Sequence, residues 1–139
     1  MRIGVARSDA HGLLAVPLDA VPAGDSAFGT IAGVAAEWES DVIYVGLPLS
    51  MDGSEGKAAK AARAWARTLA DTVDVEVRLV DERLSTVQAQ RGLHDSGRST
   101  RQSRSVIDSA SAVVVLQFVL DAEAASGARP GELVPGTTA

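Results

Sequence analysis

Cysteine is absent from the 139 residues. That excludes a disulfide scaffold, a Cys-ligated zinc site and thiol chemistry, and it fits a reducing compartment. Histidine is nearly absent: His11 and His94 are the two, little material for an imidazole-based metal or acid–base site. There are five aromatics, Phe28, Trp38, Tyr44, Trp65 and Phe118, so a core has to be built from Val, Leu, Ile and Ala. The longest apolar run, Ala112 to Leu116, is far short of the ~20 residues of a membrane span. The first residues lack the apolar stretch of a signal peptide, so a cytoplasmic protein without a membrane partner is expected. A glycine-rich phosphate loop of the Walker or dinucleotide type is also missing. What remains is 46% apolar and 22% charged, a globular balance at the length of one domain.

The net charge of −5 argues against a nucleic-acid partner until its distribution is considered. Between Arg83 and Arg104 stand five arginines (Arg83, Arg91, Arg98, Arg101, Arg104) and one acid, Asp95. That window carries +4 and the rest of the chain −9. The pattern fits either a solvated helix face with a basic loop or an arginine stripe that meets phosphates.

Arg2–Arg7 and Leu13–Leu18 are short apolar stretches around Ser8-Asp9-Ala10-His11-Gly12, which reads as a hairpin. From Ser26 to Glu39 the period changes. Phe28, Ile31, Val34 or Ala35, and Trp38 mark one helical face, with Ser26 as N-cap. Val42–Leu47 is short and uniformly apolar, as in a strand buried on both faces of a parallel sheet. The stretch 48–56 holds a proline, two glycines and two acids and must be a loop. Ala-rich 57–70 predicts a helix, and alternation in 75–80 predicts a strand. Ser85 with Gln88 forms a capping box for a helix to Leu93. Ser105–Ala125 is the strongest helix, ~31 Å long. It is apolar nearly all round from Ala110 to Leu120, so most of it should be buried. The expected order β-β-α-β-α-β-α-α implies an α/β fold, a mixed sheet covered by helices. One domain over residues 1–125 and a disordered tail over 126–139 are predicted.

In open α/β sheets ligands bind outside the carboxyl ends of the parallel strands. Two polar segments fall there: the loop with Asp52 and Glu55, and Asp81-Glu82-Arg83. Asp108 sits in a strongly apolar context, with Ser111 and Val115 on its helical face. It either faces solvent near the helix start, where the dipole favours it, or points into a cleft. Without His or Cys, paired carboxylates prefer a hard cation such as Mg²⁺.

Four segments together resemble one family: Arg2-Ile-Gly-Val-Ala-Arg-Ser-Asp9; Val45-Gly-Leu-Pro-Leu-Ser-Met-Asp-Gly-Ser-Glu-Gly56; Val80-Asp-Glu-Arg-Leu-Ser-Thr86; and Val106-Ile-Asp-Ser-Ala-Ser-Ala-Val-Val-Val-Leu-Gln117 with Leu120-Asp121. Their order and spacing over residues 2–122 resemble the YqgF/RuvX family of pre-16S rRNA nucleases, also described as Holliday junction resolvase-like proteins. The resemblance implies an RNase H-like fold and a divalent-metal nuclease. It assigns Glu82 and Asp108 as catalytic acids and metal ligands. The family's third acid is an Asp in a Gly-x-Asp-x-Gly strand just before the Arg-Ile-Gly-Val-Ala segment. With Met1 at that point, the expectation is an RNase H-like chain lacking its N-terminal central strand, either through a start placed too late, which the retained Glu82 and Asp108 favour, or as a degenerate member of the family. Asp9 matches a different family position and is no substitute.

The expected function is thus a Mg²⁺- or Mn²⁺-dependent endonuclease that processes the 5′ end of precursor 16S rRNA. Its partners would be nucleic acid, precursor rRNA before branched DNA, and ribosomal particles. Arg83, Arg101 and Arg104 would hold phosphates. Asp52, Gly53, Glu55 and Gly56 would shape the rim, and Ser85 and Thr86 would cap the helix next to Glu82. The alternatives are a catalytically silent nucleic-acid or ribosome-binding module, a Holliday junction resolvase-like DNA nuclease, and a fragment of an actin-like ATPase.

Overall fold

The computed structural model describes residues 2–50, 52–83 and 109–135. The expected helix 85–93 and the basic stretch 99–105 lie outside them. The chain divides into two compact units, residues 1–23 with 83–129 and residues 24–82 with 130–139.

In the first unit, β1 (Arg2–Ser8) and β2 (Ala15–Pro22) form an antiparallel hairpin. Its loop is longer than expected, and Leu13 and Leu14 fall in it rather than in the second strand. The Asp9 carboxylate explains the difference. It accepts the backbone N–H groups of Leu13 (2.7 Å) and Leu14 (3.1 Å), an Asp-bridged loop that outcompetes two further ladder rungs. The same bonds, Leu13 first, hold the Asp9 carboxyl below the usual carboxylate range.

The last helix of the chain's described residues, α3 (Ala110–Ser126), packs on this hairpin. Two polar side chains tie it down. Gln117 accepts the Ala15 N–H (3.0 Å) and donates to the Leu13 carbonyl (2.9 Å). Ser109, fully buried, accepts the Val5 N–H (3.0 Å) and donates to the Leu18 carbonyl (2.7 Å). Val5 and Leu18 face each other across the hairpin, next to the point where the register shifts. The hydroxyl is therefore spliced into the ladder as a relay between donor and acceptor. Although Ser109 is the N-cap residue, its side chain makes no cap bond, because the hairpin uses it. The expectation that most of α3 is buried does not hold: Val119 and Leu120 are its buried residues, and Val113–Phe118 are half-exposed. Among the described residues of this unit the helix packs on the two strands of the hairpin, and two strands cannot cover a helix that is apolar all round.

In the second unit, α1 (Ser26–Glu37), β3 (Val42–Leu47), α2 (Lys57–Thr72) and β4 (Glu76–Asp81) alternate. The strands β3 and β4 pair in parallel from Val42–Glu76 to Leu47–Asp81, as a strand–helix–strand crossover requires. Over the described residues 126–135 the expected disordered tail gives way to order: Ser126 closes α3, and Glu132–Val134 forms β5 and pairs antiparallel with β4, while 136–139 lie outside the described residues. Val134 is buried, and Arg78 donates to the Gly131 carbonyl (3.0 Å). Gly131 has φ +90°, and a Cβ there would stand 2.5 Å from the Leu79 carbonyl oxygen. The glycine at 131 thus serves a tight approach to the sheet.

The three-stranded sheet runs β3-β4-β5 and is mixed, with α2 packed against it. This is the expected α/β architecture, a mixed sheet with flanking helices, consistent with an RNase H-like fold. Among the described residues β3 is an edge strand of this sheet, and Val42–Gly46 are half-exposed rather than buried on both faces. On α1 the buried residues are Ala27, Ile31 and Ala35; Ile31 and Ala35 lie on the expected face, whereas Phe28 is half-buried and Trp38 is exposed at the C-cap. Asp25, not Ser26, is the N-cap. Phe28 meets Trp65 of α2 with ring centroids 5.2 Å apart, a tilted contact that suits the ring quadrupoles. No described helix is long and apolar enough to cross a membrane.

Candidate functional site

The carboxyl ends of β3 and β4 lie at one edge of the second unit, and both expected acidic segments leave from it. β3 runs into the loop 48–56. β4 ends at Asp81, and the ladder extends one step further, with the Glu82 N–H donating to the Leu47 carbonyl (3.1 Å). From there the Glu82 side chain folds over Gly46. A Cβ at Gly46 would fall 2.7 Å from Glu82 Cγ and 2.9 Å from Cδ, and closer still to Oε1. The residue as a whole is exposed, yet its carboxylate is partly shielded by the strand beneath it. That burial, and next the neighbouring Asp81 charge, pushes the Glu82 carboxyl above the usual range. A displaced carboxylate pKa at a strand end is the kind of perturbation found at functional sites.

The loop after β3 is held both by its own side chains and by α2. Asp52 accepts the Ser54 N–H (2.9 Å) and hydroxyl (2.6 Å). Ser50 and Ser54 are joined through the backbone (2.9 Å), and the Gly53 N–H donates to the Ser50 carbonyl (2.8 Å). Glu55 receives two bonds from the Arg63 guanidinium of α2 (2.6 and 2.8 Å). The same guanidinium reaches Glu132 at the start of β5 (2.5 and 3.0 Å). Arg63 thereby joins loop, helix and strand, and its hydrogen bonds hold both carboxyls below the usual range. Of the expected rim residues, then, Asp52 and Glu55 spend their charge on the shape of the loop.

Arg83 follows Glu82 and is exposed. Asp108, Arg101 and Arg104 lie outside the described residues, as do Ser85 and Thr86. Among the described residues no group of three His, Cys, Asp or Glu stands close enough to hold a metal ion. Sequence reasoning missed two contributors. Gly46 interrupts a run of branched and aromatic strand residues, a signal for close approach. Arg63 stands eight residues from Glu55 in an Ala-rich helix, and nothing in the pattern marks it.

The ensemble is an α/β protein with acids gathered at the carboxyl edge of a parallel strand pair, the place where this class binds its ligands. Over residues 1–122 the sequence matches the RuvX family, described as Holliday junction resolvase. A protein of Clavibacter sepedonicus named "Putative pre-16S rRNA nuclease" is 49% identical over 96% of this chain and 85% of its own length. Relatives of the same name from Thermobifida fusca and Streptomyces coelicolor are 47% and 46% identical. They cover 98% and 94% of this chain, and 91% and 80% of their own lengths. The chain belongs to the RuvX family.

Proposed function

We propose that the protein is a Mg²⁺- or Mn²⁺-dependent endonuclease that processes the 5′ end of precursor 16S rRNA in the cytoplasm, on or near ribosomal particles. One observation carries the reading: Glu82 closes the second strand of the parallel pair with its carboxylate over Gly46, in a chain whose close relatives bear the name of an rRNA nuclease. The donors fit a hard cation. Glu82 brings carboxylate oxygens to the strand end, and neither Cys nor a His cluster competes for a softer metal.

Glu82 and Asp108 would hold the ion. A divalent metal bound there supplies an activated water and charge stabilisation for phosphodiester cleavage. This chain's own residues do the rest. Arg83, Arg101 and Arg104 neutralise and align backbone phosphates. The loop of Asp52, Gly53, Glu55 and Gly56, locked by Ser54 and Arg63, presents a fixed rim to the substrate.

The test is incubation with 5′-extended precursor 16S rRNA in Mg²⁺, using the wild type, Glu82→Gln and Asp108→Asn. Cleavage by the wild type and its loss in both variants supports the reading; wild-type rates in either variant overturn that residue's role. A wild type that binds the RNA without cleaving it would be the silent binding module. A second reading, a nuclease for branched DNA, follows from the family's description. Cleavage of a four-way DNA junction but not of the RNA would establish it.

A further inference from the structure

We propose that Gly46 is a positioning residue: the space left by its missing side chain is the seat of the Glu82 carboxylate and fixes where that carboxylate can meet a divalent ion. The inference rests on the reading that Glu82 is a metal ligand, and adds what holds it in place.

Gly46 pairs with Val80, and Leu47 with Asp81, in the parallel ladder. The Leu47 carbonyl also takes the Glu82 N–H, so the backbone under Glu82 is held by the sheet. The side chain then has a short path back across β3, and Gly46 is what it crosses. Any Cβ at that position would overlap Oε1, Cγ and Cδ at distances well inside van der Waals contact.

The backbone does not need glycine there. Gly46 is not among the positive-φ residues, and glycine within a strand is less favourable than alanine. Gly131 is the contrast. Its φ is +90°, and its Cβ would strike the Leu79 backbone carbonyl, so only the chain could yield. At Gly46 the obstacle is a flexible side chain from Cγ outward, which a change of rotamer carries away. Alanine at 46 is therefore accommodated by moving the carboxylate, not the strand. A fold that survives while a functional group is displaced is the signature of a positioning residue.

The experiment is a double-mutant cycle on the full chain with Gly46→Ala, Glu82→Ala and the pair. It is read by Mn²⁺ titration (electron paramagnetic resonance or calorimetry) and by thermal melts. Gly46→Ala should keep its melting temperature within about 2 °C of wild type. It should weaken Mn²⁺ binding by about tenfold or more, the range seen when the support of a metal ligand is lost. In the Glu82→Ala background it should cause no further loss. Wild-type Mn²⁺ affinity in Gly46→Ala, with affinity lost in Glu82→Ala, would overturn the seat while leaving Glu82 as ligand. A melting loss in Gly46→Ala that persists in the Glu82→Ala background would also overturn it, because the clash would then lie in the strand. Wild-type Mn²⁺ binding by Glu82→Ala, or no uptake by the wild type, would overturn the metal-site reading beneath, while the melts still report on the steric seat.

Discussion

Replacing Ser109 by alanine removes one oxygen atom from the best-sealed polar contact of the first unit. The hydroxyl takes the Val5 N–H at 3.0 Å and gives its proton to the Leu18 carbonyl at 2.7 Å, with the side chain wholly buried. Two hydrogen bonds at a net ~0.5–1.5 kcal/mol each are lost, and because Val5 is half-exposed its unpaired N–H adds the low end, ~1 kcal/mol, of the cost of an unsatisfied donor. The space vacated is smaller than a water's ~30 Å³ share of liquid volume, so solvent does not step in. The expected destabilisation is about 2–4 kcal/mol, against a total stability of ~5–15 kcal/mol. For a chain of this size that lowers the melting temperature by ~6–15 °C. Because Ser109 makes no cap bond to α3, ordinary loss of capping is not part of the figure. Thermal unfolding followed by circular dichroism gives the magnitude, and hydrogen exchange at the Val5 amide gives the site, which should lose protection. Ser111→Ala, on an exposed position of the same helix, serves as control and should be neutral or slightly stabilising. A Ser109→Ala protein melting within 2 °C of wild type, with Val5 still protected, would refute the relay: the hairpin would then close that rung itself.

Arg63→Met should lower the melting temperature at pH 7. Glu55 and Glu132 have carboxyls held below their ordinary values by Arg63, so their contribution is present above pH ~4.3 and fades as the pH falls through the depressed values. Melts from pH 7 to pH 3 should show the wild-type advantage shrinking, and added salt should shrink it too. Glu82 has the opposite sign. Its folded carboxyl is raised, by burial first, so ionising it costs stability above that raised value and nothing below the ordinary one. Glu82→Gln should melt at or above wild type at pH 7.5, with the difference closing toward pH 4; a variant less stable at pH 7.5 would contradict the assignment. Arg101→Ala and Arg104→Ala should weaken nucleic-acid binding with melting temperatures unchanged. Each should also flatten the log–log salt dependence by ~0.7–0.9; affinity unchanged in both would leave the +4 window a solvated surface.

How far the sequence reaches depends on whether a feature is carried by neighbours in the chain. The strand at Val42–Leu47 and the helix beginning at Lys57 were legible within a few residues, because a short branched run and an Ala-rich stretch leave the backbone little choice. Glu82 was legible as a candidate because a strand and its terminal acids are contiguous. The strand at Glu132–Val134 was not. Three residues between glycine and proline have no period, and they become a strand only because β4 offers an open ladder and Gly131 can approach Leu79. Burial was misjudged along α3 for a similar reason: apolar composition says what a helix can bury, while the surface opposite decides what it does bury. The pairing of Arg63 with Glu132, the seat of Glu82 on Gly46 and the hydroxyl of Ser109 between Val5 and Leu18 all join residues distant in sequence. The sequence alone determined which residue types and local elements were available; the tertiary structure decided which partners met, because contacts between distant residues follow from the packing of whole elements and leave no period in the chain.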